Sequence, residues 1–185
     1  MARNGYAVAR RSIWYILKAL IITIAVLALC LGMFVTGMYV SNIYILTTEG
    51  MEKRAECILM DTSIFDLTEY FTEDFVRSDT ALYDGRYNDF TVTAFDYRLD
   101  IESFYVLPWN TSANMHVTES MASIAAQPNM GSEDGETPAL PEWVTARYII
   151  SYTRVGSRWY ISGLTLLNTN PQIAPKPTPD YSKLP

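Results

Sequence analysis

ALIITIAVLALCLGMFVTGMYV, residues 19–40, is the stretch that decides how this chain is built. It runs for twenty-two residues without a charge or a proline, long enough as a helix to cross a hydrocarbon core of about 30 Å. A cleaved signal peptide has a shorter apolar core, of about 7–15 residues, and ends in small residues. Met38, Tyr39 and Val40 do not form such a cleavage site. The sequence therefore predicts a retained transmembrane anchor over residues 19–41.

Basic residues precede the anchor and acidic residues follow it. Residues 1–18 contain four of the fourteen basic residues, and all twenty acids lie at or beyond Glu49. The positive-inside rule predicts that residues 1–18 are a cytoplasmic tail and that residues 42–185 lie outside. The expected partner of the anchor is the lipid bilayer, through Ala19, Ile22, Val26, Leu29, Met33 and Val40.

The charge of the part beyond residue 18 argues against one class of partner. With ten basic and twenty acidic residues, its formal charge is 10 − 20 = −10. Such a surface repels phosphate backbones, so nucleic-acid binding is not expected. The two cysteines, Cys30 in the anchor and Cys57 beyond it, are too far apart in this arrangement to form an internal disulfide.

Residues 42–62 are predicted to continue as a juxtamembrane helix, with Gly50 as an irregularity. A second helix is expected from Ser63 or Asp66 through LTEYFTEDF, residues 67–75. Its apolar face comprises Ile64, Leu67, Phe71 and Phe75. Its acids are Asp66, Glu69, Glu73 and Asp74, which lie opposite that face and are interpreted as solvated rather than as a catalytic pair.

Strands are predicted in the second half of the chain. Residues 89–109 alternate as one amphipathic strand, or two with a bend, and residues 115–126 form a weaker strand. Residues 127–142 are a polar loop. Residues 143–168 predict a hairpin around Val155-Gly156-Ser157, and the proline-rich residues 169–185 predict an extended tail.

LTEYFTEDF at 67–75 and RVGSRWYISGLTLLN at 154–168 resemble the helix and the closing strands of the nuclear-transport-factor-2-like (cystatin-like) superfamily. The resemblance covers about residues 59–168. It implies an α+β fold for the extracytoplasmic domain, residues 63–168: a strongly curved antiparallel sheet with helices packed in its concavity, here called the cone.

The layout of tail, single span and outer domain is similar to that of the bitopic inner-membrane subunit of type IV secretion and conjugation machines. This resemblance implies a non-catalytic assembly module that contacts other envelope or transfer-complex proteins, and it leaves a homo-oligomer open. The superfamily also includes isomerases and dehydratases. Binding of a small apolar ligand in the cone, or isomerase-like catalysis there, is therefore the alternative.

The residues give little support to an enzyme. The single histidine, His116, excludes a pair of ligating histidines, and no phosphate-binding or nucleophile motif is present, so neither a metal nor a cofactor is predicted. An isomerase would need a buried acid with a raised pKa beside a pocket; Asp96 or Asp100 could be nominated with Tyr97 or Tyr105. Alternation, however, sets Asp96 and Tyr97 on opposite faces. The candidate pocket or core residues are Phe71, Phe75, Tyr97, Tyr148 and Trp159.

Overall fold

A computed structural model describes residues 3–129 and 139–171 of the chain. Most of the predicted polar loop at 127–142 and nearly all of the predicted tail at 169–185 lie outside the described residues. The rest has helices followed by an antiparallel sheet. The fold class is therefore α+β, as the sequence predicts.

One helix, α1, runs without interruption over Arg3–Met60. At 1.5 Å per residue its 58 residues extend for about 90 Å. Its apolar part has a mean hydropathy of 2.7 and is not buried by the rest of the chain, so by length and composition the helix is able to cross a membrane. The predicted tail, anchor and juxtamembrane helix are thus parts of one element.

The second half of α1 packs on the sheet through a single face. Ile43, Thr47, Met51, Ala55 and Leu59 are buried, and their four-residue spacing places them along one side of the helix. Ile43 and Met51 belong to a large apolar cluster, and Leu59 belongs to a smaller one. The same helix therefore has an exposed apolar part and a later part that is buried on one face.

The predicted irregularity at Gly50 is wrong, because α1 continues through this residue. A Cβ atom at position 50 would lie 3.0 Å from Cβ of Tyr70 and 3.3 Å from Cδ1 of Ile161. Glycine at this position therefore allows the helix to pack closely against Tyr70 and Ile161, and it does not introduce a bend.

The predicted second helix is divided into two short pieces. A 3-10 helix covers Ile64–Glu69, and α2 covers Glu73–Ser78 after Thr72, whose side chain accepts a hydrogen bond from the Phe75 amide. A second 3-10 turn covers Thr80–Leu82. The division has a clear cause: the Thr72 amide donates to the Ile161 carbonyl (2.9 Å), and the Ile161 amide donates to the Tyr70 carbonyl (2.8 Å). Residues 70–72 therefore make backbone hydrogen bonds to the last strand in place of bonds within a helix.

Four strands form one antiparallel sheet within the described residues, in the order β1-β2-β3-β4. They are β1 (Phe90–Tyr105), β2 (Ser112–Pro128), β3 (Ala146–Val155) and β4 (Arg158–Thr169). The sheet is open and not curled into the cone that the resemblance implies. β2 is longer at both ends than the predicted 115–126, because it pairs with β1 up to Pro128 and with β3 from Ser112.

The predicted hairpin at 143–168 is confirmed as β3 and β4, joined at Gly156-Ser157. Gly156 has φ +64°, a left-handed conformation that glycine adopts without a Cβ clash. β1 is continuous over sixteen residues and carries three register shifts against β2, the last between Ile101 and Ser103. These shifts account for the long, bent strand that the sequence indicates.

Gly50→Val is expected to destabilise the domain by about 1–3 kcal/mol, because the added side chain would be forced against Tyr70 and Ile161. Tyr44→Val, which puts the same residue on the exposed face of α1, is the control. Thermal unfolding of the detergent-solubilised chain by circular dichroism measures the effect. Equal melting temperatures for the two variants would contradict close packing at Gly50.

Candidate functional site

The five candidate pocket or core residues lie in or against the larger apolar cluster. Phe71 and Trp159 are buried, whereas Phe75, Tyr97 and Tyr148 are partly buried against the cluster. The Phe71 and Phe75 rings stack with centroids 5.1 Å apart, and Trp159 meets the Tyr39 ring edge-on at 5.7 Å. These side chains fill the space between the helices and the sheet.

A cluster of polar side chains lies beneath α1, within this otherwise apolar layer. Arg54 comes from α1 and Asp79 from the turn after α2, and both are almost fully buried. Glu119 comes from β2 and is also buried. Tyr97 from β1 and Tyr148 from β3 interact electrostatically with Glu119 and Arg54. We call these five residues the buried polar cluster.

Arg54 and Asp79 form a two-point ion pair. Nε of Arg54 donates to Oδ2 of Asp79 at 2.6 Å, and Nη2 donates to Oδ1 at 3.1 Å. Asp79 also accepts the Ala81 amide at 3.2 Å. A buried pair of this kind gains little over a well-packed apolar pair, but removing one partner leaves a charge without compensation. The pair therefore fixes the position of the 79–82 turn against the helix.

Glu119 has a perturbed ionisation. Burial raises the pKa of its carboxyl group from 4.5 to about 7, the positive charge of Arg54 acts in the opposite direction, and Asp79 raises the pKa further. Oε1 of Glu119 and the hydroxyl of Tyr97 are buried and have no hydrogen-bond partner within the described residues. Burial, and then the charge of Glu119, also raise the pKa of Tyr97. The carboxyl group is thus partly protonated near neutral pH.

Sequence reasoning missed this acid. The signal was present in β2, where Glu119 shares the inward alternation of Met115, Val117 and Met121, so a carboxyl group stands in an apolar row. The acids nominated from the sequence lie elsewhere. Asp96 is paired with Arg98, whose hydrogen bond lowers the pKa of the aspartate. Asp66, Glu69, Glu73 and Asp74 are exposed, as their pattern predicts.

Catalysis by Glu119 requires a space that a substrate can enter. Three grooves on the described surface have volumes of about 440, 630 and 370 Å³. None of the three is lined by Glu119, Tyr97 or Tyr148. Within these three grooves the cluster therefore offers no reacting position.

A hydroxyl pair adds a second polar contact along the same helix face. Thr47 donates to the Ile43 carbonyl within α1 at 2.5 Å, and its hydroxyl oxygen also lies 2.6 Å from the Tyr152 hydroxyl, within hydrogen-bond distance. Thr47 and Arg54 are seven residues apart, which is two helical turns. The first contact joins α1 to β3 and the second joins it to the 79–82 turn, so each restricts the position of α1 relative to one neighbour.

No group of three or more His, Cys, Asp or Glu side chains that could hold a metal ion occurs in the part of the chain that the structure describes. Comparison with family models, with curated proteins and with solved structures finds no match to this chain.

The stability of the domain is expected to fall as pH rises from about 4.5 to about 7, by an amount on the order of 3 kcal/mol. In this window the Glu119 carboxyl is ionised in the unfolded chain and protonated in the fold, so unfolding releases a proton. Glu119→Gln should remove the decline, whereas Glu52→Gln, exposed on α1, should retain it. Chemical unfolding in detergent at a series of pH values measures this. Parallel pH profiles for native chain and Glu119→Gln would contradict it.

Arg54→Met is expected to lower the free energy of unfolding by about 3–5 kcal/mol, because Asp79 is left buried and unpaired. Arg77→Met breaks the exposed pair with Glu73 and should cost less than about 1 kcal/mol. Adding Asp79→Leu to Arg54→Met should restore most of the loss. The same unfolding measurement applies, and an undiminished loss in the double variant would show that charge compensation is not the cause.

Proposed function

We propose that this chain is a single-pass membrane protein whose outer domain is a non-catalytic module for protein–protein assembly. Residues 1–18 lie in the cytoplasm, residues 19–41 cross the membrane and the sheet domain is extracytoplasmic. The length and apolar composition of α1 support the anchor. The basic residues before the span support the orientation.

The connection between span and domain favours assembly over turnover of a diffusing substrate. α1 passes from the apolar run into the core of the domain without a break, and the first buried core residue, Ile43, follows the run by three positions. No flexible linker separates anchor and domain. A surface on this domain is therefore held at a fixed height above the membrane, which suits contact with a neighbouring membrane component.

The observation that carries the proposal is an exposed aromatic groove. Phe65 is 84% exposed and Tyr83 is 56% exposed, and both line the groove of about 630 Å³ between the 3-10 helix Ile64–Glu69 and α2. Ile64 and Val76 add apolar surface, and Glu73 and Arg77 supply charges of both signs. Aromatic residues within a polar rim are typical of protein interfaces and of their energetic centres.

The proposal includes membership of the nuclear-transport-factor-2-like superfamily. It also includes a place in a conjugation, secretion or other envelope complex. The order of helices, long strand, second strand and closing hairpin supports the superfamily. The sheet is open and does not form the cone in which members of that superfamily would hold a ligand. This favours an interaction through the outer surface of the domain.

The alternative, isomerase-like catalysis or binding of a small apolar ligand, has one observation in its favour. Glu119 is a buried acid whose pKa is raised to about 7, as a catalytic base or acid requires. The three grooves described above do not reach Glu119, so this function would need another approach to that carboxyl group. The groove at Phe65 is already open to solvent.

Phe65→Ala is expected to reduce the amount of co-purifying partner protein about tenfold, which corresponds to roughly 1.4 kcal/mol of binding free energy at an interface hot spot. The native membrane is extracted in mild detergent, and the complex is measured by size analysis and mass spectrometry. Leu166→Ala removes an exposed apolar side chain on β4, away from the groove, and should leave the partner bound. A lone, small species from the native chain would contradict an assembly role.

A further inference from the structure

One end of the sheet lies level with the outer end of the apolar run. Tyr39 is the last residue but one of residues 19–40, and its ring packs edge-on against Trp159 at the start of β4. The Arg154 guanidinium lies 5.3 Å from the centre of the same ring and donates to the Tyr39 hydroxyl. The β3–β4 turn is therefore beside the point at which the helix leaves the span.

The β1–β2 loop belongs to the same end. The Arg154 amide donates to the Thr111 carbonyl at 2.8 Å, and Ser112 is paired with Thr153 at the start of β2. Residues 105–111 thus lie next to residues 154–158. We call these two segments together the membrane-proximal tip.

The tip exposes large apolar side chains. Trp109 is 74% exposed, Tyr105 is 69% exposed and Val155 is 62% exposed. Packing within the described domain does not account for these side chains. Tryptophan and tyrosine are the residues enriched at membrane–water interfaces, where an apolar ring and a polar group meet two environments.

The charge of the tip is opposite to that of the domain. Residues 105–111 and 154–158 contain Arg154 and Arg158 and no acid. The chain beyond residue 18 has a formal charge of −10, as given above, so these two segments are a local exception, with Glu49 and Glu69 lining a groove beside Arg158. Arginine next to a bilayer is attracted to lipid phosphates and to anionic headgroups.

We propose that the membrane-proximal tip rests in the headgroup layer of the bilayer that α1 crosses, with Trp109 at the interface and Arg154 and Arg158 facing lipid phosphates. The inference rests on the proposed membrane anchor. It adds a second contact between domain and membrane, beside the helix. Helix and domain together would then be restricted in rotation about the axis of the span.

Quenching of tryptophan fluorescence by brominated lipid tests the contact. The full chain is reconstituted into vesicles of phosphatidylethanolamine and phosphatidylglycerol with bromine on the acyl chains. Trp109→Phe is compared with Trp143→Phe, because Trp143 stacks on Tyr87 in the smaller cluster at the far end of the domain. We expect Trp109→Phe to lose lipid-quenched emission and Trp143→Phe to lose only emission that the lipid does not quench.

Vesicles in which phosphatidylcholine replaces phosphatidylglycerol test the arginines, and quenching of Trp109 should weaken in them. Equal quenching in both vesicles would overturn the electrostatic part of the proposal. If the chain remains in the vesicles after an alkaline wash but Trp109 is not quenched, the tip contact is wrong while the anchor stands. Loss of the chain in the wash would overturn both the anchor and the contact that rests on it.

Discussion

The structure depends on one helix meeting two environments along its length. Residues 19–40 of α1 are apolar on all sides, as a lipid-facing helix must be, and the part that follows buries only one face. The buried face of the second part already sets its rotation against the sheet. The polar contacts of Thr47 with Tyr152 on β3 and of Arg54 with Asp79 in the 79–82 turn add to this, because each restricts the position of α1 relative to one neighbour. Burial holds the two layers together, and these contacts restrict how they are aligned.

The same contacts explain why a carboxyl group with a perturbed pKa need not mark a catalytic site. Glu119 is desolvated because it shares a strand face with Met115 and Val117, and Arg54, already paired with Asp79, lowers its pKa by less than burial raises it. Its ionisation is a property of helix–sheet packing. An acid that lined an entry channel would need the same burial together with an open approach, and the grooves described here supply no such approach.

Much of the architecture follows from local pattern. The long apolar helix, the hairpin around Gly156 and the inward position of Leu67 and Phe71 are all predictable from periodicity and turn chemistry. The division of the second helix is not, because it depends on bonds between residues 70–72 and Ile161, far away in the sequence. The Arg54–Asp79 pair also cannot be predicted from local pattern, because its two residues are 25 positions apart in the sequence. Glu119 was detectable in principle, as a charge at an inward position of a strand. The irregular alternation of β2 made it hard to tell from the sequence which face of the strand points inward.

The continuity of α1 makes the chain a lever. From Tyr39 to Met60 the helix extends about 30 Å into the domain. If α1 crosses a membrane as proposed, a change of about 10° in the tilt of its span would displace the far end by about 5 Å, because the helix continues into the domain without a break. Membrane thickness, or the packing of neighbouring spans, would thus be converted into displacement of the distal edge of the sheet. A movement of the span within the bilayer would thus displace the domain as a rigid body.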